Sequence, residues 1–235
     1  QTMKNTTIGI LCAGDDELAP FLPWIEHCQI SERAMLKFYC GQLEGFPVTT
    51  LFSGVCRVNA AIAAQILIDT YHCDVMINTG TAGAIQSGLN IFDTVVSTAT
   101  AYHDVSADIL TDFHPWLSSL YIEADPHLLT LARHAAKQVS YPVVFGRTVT
   151  GESFIDDKEK HRILQDFAPL SVDMESAGIA HVCYVNKIPF LAVRTLTDQA
   201  DHSAPELFEK NCQRASAQSA DFVRQMLRLW ATHGA

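Results

Sequence analysis

Short apolar runs alternate with segments of helical periodicity along almost the whole chain, and this alternation limits the possible folds more than any other feature. Residues 8–13, 74–80 and 188–196 are apolar runs that end in polar or small residues, which predicts buried strands. Residues 58–71 and 175–186 are rich in Ala and other apolar residues, which predicts helices. Alternating strands and helices favour an α/β fold in which helices cover both faces of a sheet.

The remaining segments continue this alternation, with one exception. Further strands are predicted at 37–43, 48–53, 93–99 and 142–149, and further helices at 126–139, at 156–166 and within 205–229. The exception is the segment 104–123, whose apolar and aromatic residues have no clear periodicity. A loop of that length is usually functional or contacts a partner.

No linker, repeat or low-complexity stretch divides the chain. We therefore expect residues 8–232 to form a single domain. Residues 1–7 are neither apolar nor long enough for a signal peptide, and we expect them to be disordered or vector-derived.

Charge and cysteine content exclude several classes of function. The net charge is −10, and an acidic surface without basic runs argues against nucleic-acid binding, which needs clustered Lys and Arg. No apolar stretch approaches the length of a membrane span, so no membrane association is expected. The chain has seven cysteines and no C-x-x-C spacing, which favours a reduced, cytoplasmic location.

Acidic residues stand at three places where the chain leaves an apolar strand. Glu17 follows the first strand, Glu175 follows Asp173 at the start of a helix, and Asp198 follows the strand at 188–196. Each has a structural alternative, since acids stabilise helix N-termini and also occur in turns. Strand ends of α/β sheets open into ligand crevices, where a carboxylate can bind hydroxyls or transfer a proton. Together the three acids therefore indicate a ligand site.

Two further features suggest contact with a ligand. Residues 78–84 are small, which lets backbone approach a ligand closely, although a plain tight turn fits equally well. They form neither G-x-G-x-x-G nor a P-loop. Phe154 lies just beyond a predicted strand and could be core or could stack on a flat ligand. The histidines have no metal-ligand spacing, so neither a metal nor a cofactor is predicted.

These segments together resemble the bacterial 5′-methylthioadenosine/S-adenosylhomocysteine nucleosidases, within the nucleoside phosphorylase/hydrolase superfamily. The resemblance runs from residue 8 to about residue 227. The motifs that carry it are Ile8-Gly9-Ile10, Asp15-Asp16-Glu17, Ser53-Gly54-Val55, Asn78-Thr79-Gly80-Thr81-Ala82-Gly83, Tyr102-His103-Asp104, Gly151-Glu152-Ser153-Phe154-Ile155, Asp173-Met174-Glu175 and Arg194-Thr195-Leu196-Thr197-Asp198. No single motif is specific, but their order and spacing are.

The resemblance implies a three-layer α/β fold around a mixed, partly barrel-like sheet, and a homodimer. The implied activity is hydrolysis of the N-glycosidic bond of 5′-substituted adenosines with release of adenine. Asp198 would be the general acid that protonates N7 of the leaving adenine. Glu17 would bind and activate the attacking water, Glu175 would hold the ribose 2′- and 3′-hydroxyls, and Met174 would pack on the ribose.

The resemblance also implies how the rest of the substrate is bound. Backbone groups of Ile155 would read the adenine edge, Phe154 would stack on the ring, and Gly83 would lie beside sugar and base. Val55 and Phe208 would form the apolar wall for the 5′-thioether. The full set of predicted substrate-binding residues is Val55, Gly83, Phe154, Ile155, Met174, Glu175, Arg194, Thr197 and Phe208.

Departures from the family pattern leave the preferred 5′ group open. Gly14 stands where the family commonly has Met, and Thr81 replaces the usual Ser. The segment after Asp104 is shorter than the family's loop, which reaches the neighbouring subunit's pocket and contacts the 5′ substituent. Candidates for that part here are Leu110, Phe113 and Trp116. Methylthioadenosine, adenosylhomocysteine, 5′-deoxyadenosine and aminofutalosine share the same adenine and ribose.

Three other activities stay open at this point. A phosphorylase must hold phosphate where water would attack, next to Asp15, Asp16 and Glu17. Two like charges 4 Å apart cost about 4 kcal/mol at an effective dielectric of 20, which favours water. Arg57 and Arg194 are possible anion ligands, so a phosphorylase remains an alternative, as does an aminofutalosine hydrolase. A nucleoside-binding or storage protein is the non-enzymatic alternative, but storage needs none of the three acids.

Overall fold

Strands and helices alternate along the chain in the computed structural model, which describes residues 5–233. The strands are Ile8–Cys12 (β1), Glu26–Arg33 (β2), Leu36–Leu43 (β3), Phe46–Phe52 (β4), Val75–Ala84 (β5), Thr94–Tyr102 (β6), Ile122–Glu123 (β7), Val143–Thr150 (β8), Ser171–Asp173 (β9) and Phe190–Asp198 (β10). The helices are Asp15–Leu18 (α1), Arg57–Asp69 (α2), Ala107–Asp112 (α3), Pro126–Ala136 (α4), Asp157–Phe167 (α5), Ser176–Asn186 (α6) and Ala204–His233 (α7), with a 3-10 helix at Ala19–Trp24.

The strands form one mixed sheet that is partly closed on itself. β5 pairs with β10, β10 with β6, β6 with β8, β8 with β9, and β9 again with β5. This path returns to its starting strand, so five strands close into a barrel. On the other side of β5 the sheet continues through β1, β4, β3 and β2. The predicted mixed, partly barrel-like sheet is confirmed.

Helices cover both faces of the sheet. α2 and α6 pack together over one face, and α4 and α7 pack over the other. Met76 and Ile77, successive residues of β5, belong to the two different apolar clusters, because side chains alternate between the faces of a strand. Met76 lies with Ile179 of α6, and Ile77 lies with Phe222 of α7. The predicted three-layer α/β fold is confirmed.

Helix capping fixes where two of the predicted helices begin. The Asp125 carboxylate accepts a hydrogen bond of 2.9 Å from the Leu128 N–H, with Pro126 in the first turn of α4. Asp156 and Glu159 form a reciprocal capping box at the start of α5.

Three parts of the chain differ from the sequence predictions. β2 was not predicted, and all of its residues are exposed, so it carries no alternation of apolar and polar side chains. β5 continues to Ala84 instead of ending near Gly80, because its second half pairs with β10 and β9. The segment 104–123, predicted to be irregular, contains α3 and β7.

At the N-terminus, Thr7 is tied to the fold. Its N–H donates to the Asp74 carboxylate over 2.9 Å, and its carbonyl accepts from the Asp74 N–H over 2.8 Å. Residues 1–4 lie outside the described residues, and the prediction for residues 1–7 as a whole stays a prediction. Within the described range, none of the helices combines the length and apolar character needed to cross a membrane.

Candidate active site

A cavity of about 370 Å³ opens where the ends of β1, β5, β9 and β10 meet. Parallel strands place their carboxyl ends at one edge of a sheet, so residues distant in sequence converge there. All of the predicted site residues line this cavity: Glu17, Val55, Gly83, Phe154, Ile155, Met174, Glu175, Arg194, Thr197, Asp198 and Phe208. Their individual roles stay predictions.

Glu17 is buried on α1 and is held by four hydrogen-bond donors. Oε1 accepts from the N–H groups of Ala13 and Gly14, each over 2.9 Å. Oε2 accepts from the Thr81 N–H over 2.7 Å and from the Thr81 hydroxyl over 3.1 Å. A carboxyl that meets only donors is suited to the ionised form. Gly80 makes this contact possible, because a Cβ there would overlap Oε2 of Glu17.

Asp198 is also buried, at the end of β10. Oδ1 accepts from the Ala200 N–H over 2.9 Å, and Oδ2 accepts from the Thr197 hydroxyl over 2.6 Å. Burial raises the pKa of Asp198, although these two hydrogen bonds act against the rise. Asp198 therefore keeps its proton to a higher pH than an ordinary Asp. A Cβ at Gly83 would lie 2.7 Å from Oδ1, so this position has room only for Gly.

Glu175 has one oxygen bound to backbone and one to a cation. Oε2 accepts from the Cys56 N–H over 2.9 Å, and Oε1 accepts from Arg194 Nη2 over 3.1 Å. Burial raises the pKa of Glu175 to about 7, while the Arg194 guanidinium opposes that rise. The carboxylates of Asp173 and Glu17 add to the rise. Glu175 therefore titrates near neutral pH.

Arg194 is buried, and most of its guanidinium N–H groups are bound to acceptors of the protein. Nη1 donates to the Thr81 carbonyl over 2.8 Å, and Nη2 donates to the Asn78 side-chain oxygen over 2.9 Å as well as to Glu175. Nε lies 3.2 Å from Asp173 Oδ2 and 3.1 Å from the Asn78 oxygen. The guanidinium thus holds the acids and the strands around the cavity in place.

The apolar part of the cavity lies between the segment after β8 and the start of α7. The Phe154 and Phe208 rings meet edge to face, with centroids 6.0 Å apart and an interplanar angle of 64°. Phe154 is 50% exposed and Ile155 is buried beside it. Val55 is 51% exposed, so ligand could cover both it and Phe154.

Comparison with known proteins agrees with this geometry. The sequence profile of the family described as Phosphorylase superfamily matches residues 7–228. A 5′-methylthioadenosine/S-adenosylhomocysteine nucleosidase of Staphylococcus carnosus is 33% identical over 225 residues, covering 94% of this chain and 99% of the relative. The chain belongs to the 5′-methylthioadenosine/S-adenosylhomocysteine nucleosidase family.

Solved structures of this nucleosidase family share the fold. The Colwellia psychrerythraea nucleosidase, in complex with adenine, is 32% identical with a TM-score of 0.88, covering 97% of this chain and 95% of that one. The S. pneumoniae nucleosidase, with the transition-state inhibitor MT-ImmA, is 28% identical with a TM-score of 0.89, covering 95% and 99%.

Arg57 does not line the cavity. The sequence had offered it, beside Arg194, as a possible ligand for an anion. Nη1 and Nη2 bind the Asp104 carboxylate over 2.6 and 3.1 Å, and Nε lies 3.0 Å from Glu152 Oε1. Arg57 is therefore committed to two carboxylates. Arg194, by contrast, lines the cavity, where Asp173, Glu175 and Asn78 hold its guanidinium.

No residue of the segment 104–123 lines the cavity. Leu110 packs against one of the apolar clusters, while Phe113 and Trp116 are 63% and 57% exposed. None of the three lines the cavity. Their predicted contact with a neighbouring subunit's pocket stays a prediction.

Sequence reasoning missed the role of Asp173, which also lines the cavity. Its Oδ1 accepts from the Thr150 hydroxyl over 2.7 Å and from the N–H groups of Glu175 and Ser176 over 3.2 and 3.0 Å. Its Oδ2 contacts Arg194 and the Ser176 hydroxyl. The signal was present, since Asp173 ends a buried strand two residues before Glu175, but its partners come from distant segments.

Among residues 5–233, one group of side chains could hold a metal ion, and it lies outside the cavity. Asp157, Asp201 and His202 each bring a ligand atom within 4.8 Å of the others. None of them lines the cavity, so Glu17, Glu175 and Asp198 are not part of this cluster.

Proposed function

We propose that this chain hydrolyses the N-glycosidic bond of 5′-substituted adenosines, such as methylthioadenosine and S-adenosylhomocysteine, and releases adenine. The observation that carries the proposal is that one cavity holds Asp198, a buried acid with a raised pKa, and Glu17, a carboxylate bound by four donors. The names of the relatives support the substrate class.

Asp198 supplies the proton for the leaving base. Cleavage of the bond puts negative charge on adenine, and protonation of N7 removes it. General acid catalysis of this kind is typically worth about 10²–10⁴-fold. Burial raises the pKa of Asp198, so its acid form persists to a higher pH than that of an ordinary Asp.

Glu17 binds and activates the attacking water. Three of its four bonds come from fixed backbone N–H groups, of Ala13, Gly14 and Thr81. The fourth comes from the Thr81 hydroxyl, which can rotate and leave Oε2 free to accept from water. Two carboxyl groups then act on the sugar, one on the leaving group and one on the water, as in inverting glycosidases.

Glu175 binds the ribose hydroxyls in its ionised form. Each of its oxygens has one protein partner and can accept one more donor. Met174 lies beside it in the cavity wall and packs on the sugar. Phe154 and Ile155 take the adenine, and Val55 and Phe208 take the 5′ group.

Water is favoured over phosphate as the nucleophile. Phosphate would need a free cation, but Arg194 is held by Asp173, Glu175 and Asn78. Asp15 and Asp16 also line the cavity and would repel an anion. The arrangement therefore suits a neutral nucleophile.

The functional unit is a homodimer in which the segment 104–123 approaches the partner's cavity. The exposed Phe113 and Trp116, and the exposed Val58, Ile62 and Val185 of α2 and α6, support this arrangement. Sedimentation analysis tests it, and a monomer at micromolar concentration would contradict it. All seven cysteines are free, in keeping with a reducing, cytoplasmic location. The proposed role in methionine salvage is supported by the substrates that the relatives' names give.

Adenine release from methylthioadenosine, in phosphate-free buffer and with added phosphate, tests the proposed reaction. We expect the same rate in both, with free methylthioribose as the second product. Release only with phosphate would make the chain a phosphorylase. Tight binding without release from any adenosine derivative, aminofutalosine included, would indicate a storage protein.

A further inference from the structure

The peptide group that follows the candidate acid links it to a lysine on another element. The Ala200 N–H donates to Asp198 Oδ1 over 2.9 Å. The carbonyl at the other end of the same peptide group is that of Gln199, and it accepts a hydrogen bond from Lys160 Nζ. Ammonium, peptide and carboxyl group thus form one chain of hydrogen bonds.

Lys160 is held in place by the start of α5. The capping box of Asp156 and Glu159 fixes the first turn, and the Lys160 N–H donates to the Asp156 carbonyl over 2.9 Å. Lys160 is half-buried, whereas Lys158, two residues earlier, is exposed. The helix therefore presents one lysine to the segment after β10 and the other to solvent.

The linking segment has an unusual backbone that needs support. Ala200 has φ of +49°, in the left-handed region that residues other than Gly seldom adopt. The Gln199 side chain donates to the Leu89 carbonyl over 3.3 Å, and Asp201 Oδ1 accepts from the Ser203 N–H over 2.9 Å. These contacts orient the Gln199–Ala200 peptide so that its N–H faces Asp198.

A cation at a peptide carbonyl strengthens the N–H of that peptide as a donor, because hydrogen bonds in a chain polarise one another. When Asp198 gives its proton to the base, negative charge develops on its carboxyl group. A polarised N–H already aimed at Oδ1 stabilises that charge without rearrangement.

We propose that Lys160 is a positioning residue for Asp198, which it orients and stabilises through the Gln199–Ala200 peptide. This inference rests on the proposed function of Asp198 as the general acid. Lys160 itself does not line the cavity and touches no substrate.

The charges around Asp198 give the direction of the effect. Burial raises the pKa of Asp198, the Asp201 carboxylate adds to the rise, and the Lys160 ammonium lowers the pKa. Asp201 is itself bound to Ser203, and His202 lies 3.3 Å from Asp157. Across the cavity, Glu17, Glu175 and Arg194 are bound to one another or to backbone. Lys160 is thus the cation that acts on Asp198, and its removal raises that pKa.

The test compares kcat against pH for Lys160→Met, Lys160→Arg and the matched control Lys158→Met. For Lys160→Met we expect a maximal kcat about tenfold lower, the order of a lost hydrogen bond to a charged group. We also expect its alkaline limb at higher pH than in the parent protein. Lys160→Arg should keep most of the parent's maximal kcat and the position of its alkaline limb. Lys158→Met should match the parent protein in both.

Two results would overturn the proposal. One is a Lys160→Met profile that coincides with that of Lys158→Met. The other is a lower kcat with an unmoved alkaline limb, which a loosened loop alone would produce.

A carboxyl titration separates this proposal from the proposed function. The ¹³C signal of the Asp198 carboxyl group, assigned with Asp198→Asn, is titrated in the parent protein and in Lys160→Met without any substrate. We expect a higher pKa in Lys160→Met even if no adenine is released, and an unchanged pKa would contradict the inference. Failure of the parent protein to release adenine would instead contradict the proposed function.

Discussion

At the scale of single residues, the surroundings of each carboxyl group set what it can do. Glu17 meets four donors, whereas Asp198 meets two and is raised in pKa by burial. Glu175 shares one cation with Asp173. Although the three carboxyl groups have similar chemistry, Glu17 is thereby suited to hold a water, Asp198 to donate a proton and Glu175 to bind hydroxyls.

The titration of Glu175 near pH 7 predicts a pH dependence of substrate capture. Burial raises its pKa, so the carboxyl group is protonated below about pH 7 and ionised above it. Only the ionised form offers full acceptor capacity to the ribose hydroxyls. We expect kcat/KM to rise with pH on an acidic limb near 7, by about tenfold per pH unit below it.

Glu175→Gln is the control for that limb. Gln keeps the shape and one acceptor but does not titrate in this range. We expect a lower kcat/KM and no acidic limb near pH 7. If the limb survives in Glu175→Gln, another group produces it.

The acids could be found from sequence, but their partners could not. Glu17, Glu175 and Asp198 each follow an apolar strand, and that position is readable in one chain. Asp173 and Asn78 act through contacts with Arg194, which follows Asp173 by 21 residues and Asn78 by 116 residues in the sequence. Such contacts follow from strand order, which periodicity alone does not reveal.

At the scale of elements, β5 is the strand that organises the site. It pairs with β1 in its first half and with β10 along most of its length. Glu17 reaches it at Thr81, and Asp198 lies against Gly83. Residues 78–84, for which the sequence left a ligand contact and a plain turn equally open, are extended strand, and the glycines at 80 and 83 admit the two carboxyl groups.

Gly80 is the position of β5 where an added side chain would interfere most with a carboxyl group. It has φ of +149°, and a Cβ would overlap the Glu17 carboxylate. We expect Gly80→Ala to displace Glu17 and lower kcat by about 10²-fold, the order of a misplaced catalytic group. Adenine release at saturating substrate is the measurement.

Gly88→Ala is the matched control for backbone strain. Gly88 also has a positive φ, of +90°, but no atom lies within 4 Å of its added Cβ. We expect it to lose about 1–2 kcal/mol of stability and to keep its kcat. Equal loss of kcat in both variants would mean that strain, and not contact with Glu17, is the cause.

Element prediction succeeded where one face of an element is buried and failed where none is. The strands at the centre of the sheet, β1, β5 and β10, are buried throughout and appear in the sequence as apolar runs. The helices over its faces are marked by Ala-rich sequence in α2 and α6 and by an apolar face in α4 and α7. β2 lies at the sheet edge with every residue exposed, so no burial pattern marks it. α3 and β7 are short and depend on contacts with the rest of the fold.

At the scale of the whole molecule, closure of the barrel brings the buried carboxyl groups together. β10 and β9 both pair with β5 in a ring of five strands, and they carry Asp198 and Asp173 to the edge where Glu17 lies. This closure could not be read from the chain, whereas the α/β class could. The resemblance to nucleosidases supplied the barrel-like sheet.

The central claim, that Asp198 protonates the leaving base, has a direct test. Asp198→Asn is assayed on methylthioadenosine and on the 5-methylthioriboside of p-nitrophenol, whose leaving group departs as a stable anion and needs no proton. We predict a loss of about 10²–10⁴-fold on methylthioadenosine and a much smaller loss on the nitrophenyl substrate. Equal losses on both substrates would contradict the account.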